Sequence, residues 1–308
     1  MKDTKGYFLI MGAAILWGAS ATLAKFLLNQ QIGTLLLVQT RATFSCLVMF
    51  AYFVLFSQHH LYVKRTDLWR FALLGILGLS GANFFYYFTI KESSVATAIT
   101  IQYTAPLFVM AYEIVRKEER FTAPKLIAAL LSLCGCFLAV TGFDISTMRI
   151  TPIGLLTGIG SIISFSFLTI YTRHVLVRYS AWTVTFYTIA FASLFWLMLN
   201  PPWDVVEHNP SLETWSALFL LAMVSVLVPN LLYVGGLRFL VPSRAVITST
   251  LEPVVAIMTA ALFIGEIVTL LQAIGAVLVI LAIGLLQLRR ENAVLSEQQM
   301  EGEASDVS

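Results

Sequence analysis

Apolar residues occur in ten long runs along the chain, separated by short polar segments. Each run holds about 20 residues, which is the length a helix needs to cross a hydrocarbon core of roughly 30 Å. The runs predict helices over residues 7–28, 35–56, 71–90, 94–115, 123–143, 152–172, 181–200, 215–237, 243–264 and 268–288. The pattern therefore predicts an all-α polytopic membrane protein with ten transmembrane helices in a lipid bilayer.

Lys and Arg are unevenly distributed between the two predicted faces. Most of the 19 fall in or beside loops on the side that holds both termini, whereas only Lys91 and Arg149 lie in loops on the other side. Positive charge marks the cytoplasmic side of a membrane protein, so we expect both termini in the cytoplasm and the chain in a plasma or inner membrane. Residues 1–6 precede the first helix. The acidic stretch 289–308 predicts a disordered cytoplasmic tail, because it has too few apolar residues to fold.

The composition excludes several classes of protein. The chain is 58% hydrophobic and 12% charged, against roughly 45–50% and about 25% in soluble domains. Its net charge of +2 is explained by the loop asymmetry, so it does not imply a nucleic-acid partner. The sequence contains neither a His-Glu-x-x-His zinc motif nor a Gly-x-Ser-x-Gly nucleophile elbow. We therefore expect no enzymatic activity, no metal and no cofactor.

The chain repeats itself after 147 residues. This offset superposes Asn83 on Asn230, Tyr86 on Tyr233, Pro106 on Pro253 and Glu119 on Glu266. Residues 7–143 and 152–288 are then two copies of five helices, and the odd number of crossings inverts the second copy. Inverted repeats around a central cavity are typical of carriers that work by alternating access.

The fourth and ninth predicted helices carry related motifs. The fourth contains residues 102–107 (QYTAPL), and the ninth contains residues 250–256 (TLEPVVA), followed by Gly265 and Glu266. Both resemble the EamA-type repeat, and about nine tenths of the chain resembles the drug/metabolite transporter superfamily. The first half departs from the pattern, since Glu118 stands where the second half has Gly265. The resemblance implies a ten-helix fold around a cavity and substrates such as amino acids and related metabolites, commonly exported.

Glu252 is the first candidate for a functional residue because it lies near the membrane midplane. A charged acid there costs on the order of 2.5 to 3.5 kcal/mol, so it is protonated, paired or exposed to a wet cavity. The alternative is a packing hydrogen bond beside Pro253, where the missing N–H frees a carbonyl. The sequence leaves both interpretations open.

Other candidates surround the two central prolines. Pro106 and Pro253 interrupt equivalent helices, and paired interruptions of this kind are a sequence pointer to a carrier's central site. The residues expected to line that site are Gln102, Tyr103, Thr248 and Thr250. Asn83 and Asn230 suit either cavity hydrogen bonding or contacts between helices.

Aromatic and charged residues complete the predicted site. The rings of Trp17, Tyr86 and Tyr233 either form its walls or only pack the bundle. Arg41 lies deeper in the membrane than the end of its helix. Its side chain either neutralises a substrate carboxylate or pairs with an acid. Glu113 lies within one turn of its helix end, from which we expect its side chain to reach the interface.

The sequence predicts a secondary transporter, and specifically an exporter, of amino acids or related small metabolites. Proton coupling through Glu252, uniport and exchange all remain open. The alternative from another class is a membrane-embedded scaffold or assembly subunit, in which the polar residues within the helices only hold them together. The sequence predicts neither the identity of the substrate nor the oligomeric state.

Overall fold

Ten membrane-spanning helices account for nearly all of the described chain. The computed structural model describes residues 2–29, 33–201 and 211–287, and these ranges contain no β-strand. The ten helices long and apolar enough to cross a membrane, α1–α10, are Asp3–Ala24, Thr34–Phe56, Arg65–Glu92, Val95–Val115, Ala123–Thr141, Pro152–Val175, Ala181–Leu199, Leu212–Leu237, Pro242–Phe263 and Leu270–Gln287. The all-α prediction with ten crossings is confirmed. The predicted tail over 289–308 lies outside the described residues.

Ser or Thr side chains cap the first turn of four of the helices. The side-chain oxygens of Ser94, Thr151, Ser180 and Ser211 each accept a hydrogen bond from the backbone N–H three residues later. Such caps satisfy amides that have no partner within the helix. The Ser211 cap explains why α8 begins at Leu212, three residues before the predicted start.

The two halves pack on each other in a symmetric pattern. Helix α1 packs against α8 and α9, and its counterpart α6 packs against α3 and α4. Helix α2 packs against its own counterpart, α7. Helices α5 and α10 meet at glycines, where a Cβ on Gly135 would lie 2.8 Å from the carbonyl oxygen of Gly275. The contacts of α1 and α6, and of α2 and α7, therefore follow the relation between the two halves.

Two helices contain a π-helical segment at equivalent places. These segments are Leu74–Ser80 in α3 and Met223–Leu227 in α8. Their last residues, Ser80 and Leu227, correspond under the 147-residue offset. Because π-helical turns inside α-helices occur frequently at functional sites, the pair directs attention to α3 and α8.

Proline breaks α4 and α9 near their centres. Helix α4 consists of Val95–Gln102 and Ala105–Val115, and α9 consists of Pro242–Ser249 and Leu251–Ile264. Pro106 and Pro253 lie four residues after the ends of the first segments, Gln102 and Ser249. A proline ring clashes with the carbonyl four residues earlier and leaves it without a donor, so both breaks occur where the sequence dictates.

The bundle has an apolar exterior and two distinct ends. Large side chains such as Leu55, Phe56, Leu262 and Phe263 are more than 70% exposed on its surface, which suits contact with lipid. We call the end where α1 begins and α10 ends the basic face, because most Lys and Arg residues lie there. The other end is the opposite face.

Candidate functional site

Glu252 lies in the first turn of α9 after its break, and its carboxylate has no partner. Within the described residues it makes neither a hydrogen bond nor an ion pair, and the side chain is partly exposed. It is close enough to the hydroxyls of Tyr86 and Tyr103 and to the thiol of Cys136 for electrostatic interaction. An acid inside a transmembrane helix without a partner marks a functional site.

Glu113, the other acid within α4 or α9, has a different environment. It is buried, with Lys125 Nζ 3.1 Å from its Oε2 and the Ser243 backbone N–H donating to its Oε1 at 3.1 Å. The expectation that Glu113 reaches the interface is wrong, because these partners hold the carboxylate inside the protein. The contrast leaves Glu252 as the acid that is free to bind another molecule or a proton.

Helix α1 supports the Glu252 turn through two adjacent residues. A Cβ on Gly18 would lie 2.5 Å from the Glu252 carbonyl oxygen, so only glycine permits α1 to approach this closely. The neighbouring Trp17 donates its indole N–H to the Ser225 carbonyl at 3.1 Å, inside the π-helical segment of α8. One turn of α1 therefore contacts both the α9 break and the α8 π-helical segment.

An aromatic group lies beside Trp17. Its ring centroid is 5.3 Å from that of Tyr233, which is 6.3 Å from that of Phe165. The Tyr233 hydroxyl lies 3.0 Å from Thr169 Oγ1, so its polar end is satisfied within the bundle. Trp17 and Tyr233 are thus brought together, and the hydroxyl of Tyr233 is occupied by Thr169.

Asn83 and Asn230 use their amides in the same way. Asn83 Nδ2 donates to the Leu79 carbonyl and Asn230 Nδ2 donates to the Val226 carbonyl, each at 2.7 Å. Both acceptors belong to the π-helical segments. The amides therefore satisfy carbonyls of their own helix, a third role beside the two that the sequence suggested.

Other predicted residues bond within the bundle rather than to one another. Thr248 and Thr250 are fully buried and donate to the Arg244 and Ile247 carbonyls of their own helix at 2.7 and 2.6 Å. Gln102 Oε1 accepts a hydrogen bond from Ser161 Oγ at 2.6 Å.

The prolines are buried too. Pro106 and Pro253 have little exposed surface. Their contribution is the break that each causes in its helix, because proline has no backbone N–H to donate. Of the predicted residues, Tyr86 and Tyr103 interact electrostatically with Glu252, and we take these three as the centre of the candidate site.

Arg41 connects to this centre through two tyrosines. Its Nη2 donates to the Tyr87 hydroxyl at 3.1 Å, and the Tyr87 and Tyr86 ring centroids are 5.5 Å apart. The buried Arg41 Nε has no hydrogen-bond partner within the described residues. A guanidinium with an unused donor in a transmembrane helix suits an anionic group such as a carboxylate.

Sequence reasoning missed two contributors to this site. Cys136 is buried beside Glu252, with its Sγ 3.8 Å from the Thr250 carbonyl oxygen. Gly18 determines how closely α1 approaches Glu252. Neither residue stands out in the sequence, because small residues are common in transmembrane helices.

The sequence profile of the EamA-like transporter family matches the chain twice, over residues 4–141 and 152–288. The chain is 26% identical over 294 residues to the "Uncharacterized inner membrane transporter YicL" of Salmonella typhimurium, covering 92% of this chain and 95% of that protein. It is 24% identical over 293 residues to the "Threonine/homoserine exporter RhtA" of Escherichia coli K12, covering 93% and 92%.

A solved crystal structure shares the fold. It aligns with a TM-score of 0.76 at 20% identity, over 94% of this chain and 99% of that one. Family profile, relatives and fold agree with the two five-helix halves, so the chain belongs to the EamA-like transporter family and is a transporter rather than an enzyme.

Proposed function

We propose that this chain is a secondary transporter that exports amino acids or related small metabolites by alternating access, with Glu252 at its central site. The observation that carries the proposal is the unpartnered Glu252 carboxylate beside Tyr86 and Tyr103, at the break of α9. A carboxylate among aromatic rings suits the ammonium group of an amino acid, which pairs with the charge and packs on the ring faces. It also suits a transported proton.

The packing of α4 and α9 supports one conformation of such a carrier. Their segments Ala105–Val115 and Pro242–Ser249 pack together at the basic face. Val95–Gln102 and Leu251–Ile264 share no comparable packing at the opposite face, within the described residues. From this difference in packing we infer that the partly exposed Glu252 is reached from the opposite face. By the positive-inside rule the basic face is cytoplasmic, and this conformation is the outward-facing one.

A relative supports the substrate class. The exporter that matches nearly the whole chain is named for threonine and homoserine, two small α-amino acids. Such a substrate carries an ammonium for Glu252 and a carboxylate for Arg41. Export is proposed because that relative is named as an exporter.

Counterflow of labelled amino acids in proteoliposomes tests the proposal. The wild type is compared with Glu252→Gln and with a matched control, Glu213→Gln, whose side chain is exposed at the start of α8. We expect saturable counterflow in the wild type and the control, and none in Glu252→Gln. Measurement at two external pH values separates proton coupling from uniport and exchange. Absence of counterflow in the wild type across a broad panel would favour the scaffold alternative.

A further inference from the structure

Four charged residues form a continuous cluster at the basic face. Lys125 Nζ lies 3.1 Å from Glu113 Oε2 and 2.8 Å from Glu119 Oε2. Arg244 Nη2 lies 3.2 Å from Glu119 Oε1. We call Glu113, Glu119, Lys125 and Arg244 the basic-face ion cluster. Its two acids and two bases neutralise each other, as burial of charge requires.

The cluster joins three elements of the bundle. Glu113 lies in α4 and Glu119 lies in the segment that follows it, whereas Lys125 lies in the first turns of α5. Arg244 lies in the first turn of α9. Glu113 also accepts a hydrogen bond from the backbone N–H of Ser243, so the start of α9 is bound both to α4 and, through Arg244 and Glu119, to the segment that follows α4. These are the ends that must separate if a path opens at the basic face.

The positions related to this cluster by the repeat do not carry a second cluster at the opposite face. Under the 147-residue offset, the counterparts of Glu113, Lys125 and Arg244 are Ala260, Gln272 and Thr97. Only Glu119 has a charged counterpart, Glu266. Thr97 instead donates its hydroxyl to the Arg149 carbonyl at 3.0 Å. The two ends of the carrier therefore differ in the side chains available to close them.

We propose that the basic-face ion cluster is the gate that closes this end of the carrier, and that it must dissociate before a substrate passes through the basic face. This inference rests on the proposed function. Glu113 and Lys125 have side chains only 1% and 5% exposed, so the gate opens only when water replaces their contacts. Since the repeat-related positions at the opposite face hold no such cluster, the cluster stabilises the conformation described above over the one that opens at the basic face.

Labelling of a thiol at the central site tests the gate. Glu252→Cys supplies the thiol in a chain whose Cys46, Cys134 and Cys136 are replaced by alanine. A membrane-impermeant maleimide is applied from each face of oriented vesicles, and the rate of labelling is measured. In the otherwise unchanged chain we expect rapid labelling from the opposite face and slow labelling from the basic face.

Arg244→Gln and Glu119→Gln should each open the gate. We expect labelling from the basic face to become roughly tenfold faster, the population shift produced by losing one charged hydrogen bond. Arg244→Lys retains the charge and should restore slow labelling. Glu118→Gln is the matched control, because Glu118 pairs with His174 at 3.7 Å outside the cluster, and it should leave the rates unchanged.

The outcomes separate the two proposals. Labelling from the basic face that stays slow in the cluster variants, with labelling from the opposite face still rapid, would refute the gate and keep the central site. A thiol at position 252 that reacts from neither face in any variant would instead refute the proposed function, because Glu252 would then lie outside any path. Gel filtration of each variant verifies folding before labelling.

Discussion

The indole N–H of Trp17 donates to the Ser225 carbonyl across 3.1 Å, and this bond joins α1 to the π-helical segment of α8. The next residue, Gly18, packs directly on the backbone of Glu252. A movement of α1 therefore affects two elements of the candidate site at once. The predictions below follow from this arrangement and from the contacts of the charged residues.

Trp17→Phe should slow transport without greatly lowering thermal stability. Phenylalanine keeps a ring to pack on Tyr233 but leaves the Ser225 carbonyl without its donor, at a cost of about 1 kcal/mol. We expect initial counterflow to fall several-fold while the melting temperature changes little. Trp69→Phe is the control, because Trp69 is exposed on α3. Equal effects of the two substitutions would contradict a special role for Trp17.

The two acids should respond oppositely to amide substitution. Glu252→Gln removes a charge that has no partner, so we expect thermal stability in detergent to be unchanged or higher. Glu113→Gln places an amide donor against Lys125 Nζ, so we expect a lower melting temperature, by the equivalent of roughly 1–3 kcal/mol. Thermal unfolding of both variants measures the difference. A marked loss of stability in Glu252→Gln would show that this residue serves packing.

Gly18→Ala should disrupt the contact between α1 and α9. The added Cβ would lie 2.5 Å from the Glu252 carbonyl oxygen and 2.8 Å from Val255 Cβ, so the helices must separate. We expect loss of both stability and transport. Gly284→Ala is the control, because a Cβ there meets nothing within 4 Å. Full activity of Gly18→Ala would mean that α1 can move without cost.

Arg41→Gln should raise the KM for substrates that carry a carboxylate. Loss of the guanidinium removes the cation that we assign to that group, and we expect about a tenfold effect, equivalent to one charged hydrogen bond. Tyr87→Phe removes only the 3.1 Å contact to Arg41 and should have a smaller effect. Inhibition of counterflow by amines with and without a carboxylate measures the selectivity. An equal loss for both would argue against carboxylate binding.

The spans and both breaks could be predicted from the sequence. Hydropathy alone defines ten apolar runs, and Pro106 and Pro253 each prevent an α-helical bond at a known distance before them. The surroundings of Glu252 could be predicted in part. Its depth in the membrane and the paired proline breaks of α4 and α9 both indicate Tyr103 as a neighbour. The roles of Gly18 and Cys136 could not be predicted, because they depend on which parts of other helices pack against them.

The ion cluster and the π-helical segments could not be predicted. Glu113 and Lys125 are 12 positions apart and lie near helix ends, where charges usually reach water. Only the meeting of α4, α5 and α9 turns them into a buried pair. The composition of the π-helical segments does not distinguish them from α-helix. The amides of Asn83 and Asn230 bond to carbonyls of these segments, and this role is evident only from the structure.

Each π-helical segment accommodates an extra residue within its helix, because a π-helical turn is wider than an α-helical turn. If Leu74–Ser80 kept its length but adopted ordinary α-helical hydrogen bonding, every side chain beyond it would turn by about 100°, the angle of one residue in an α-helix. Tyr86 would then leave the neighbourhood of Glu252 while α3 remained a complete membrane-spanning helix. The direction in which the site's tyrosines point is therefore determined by the π-helical hydrogen bonding of this segment, which lies a full turn or more away from them along the chain.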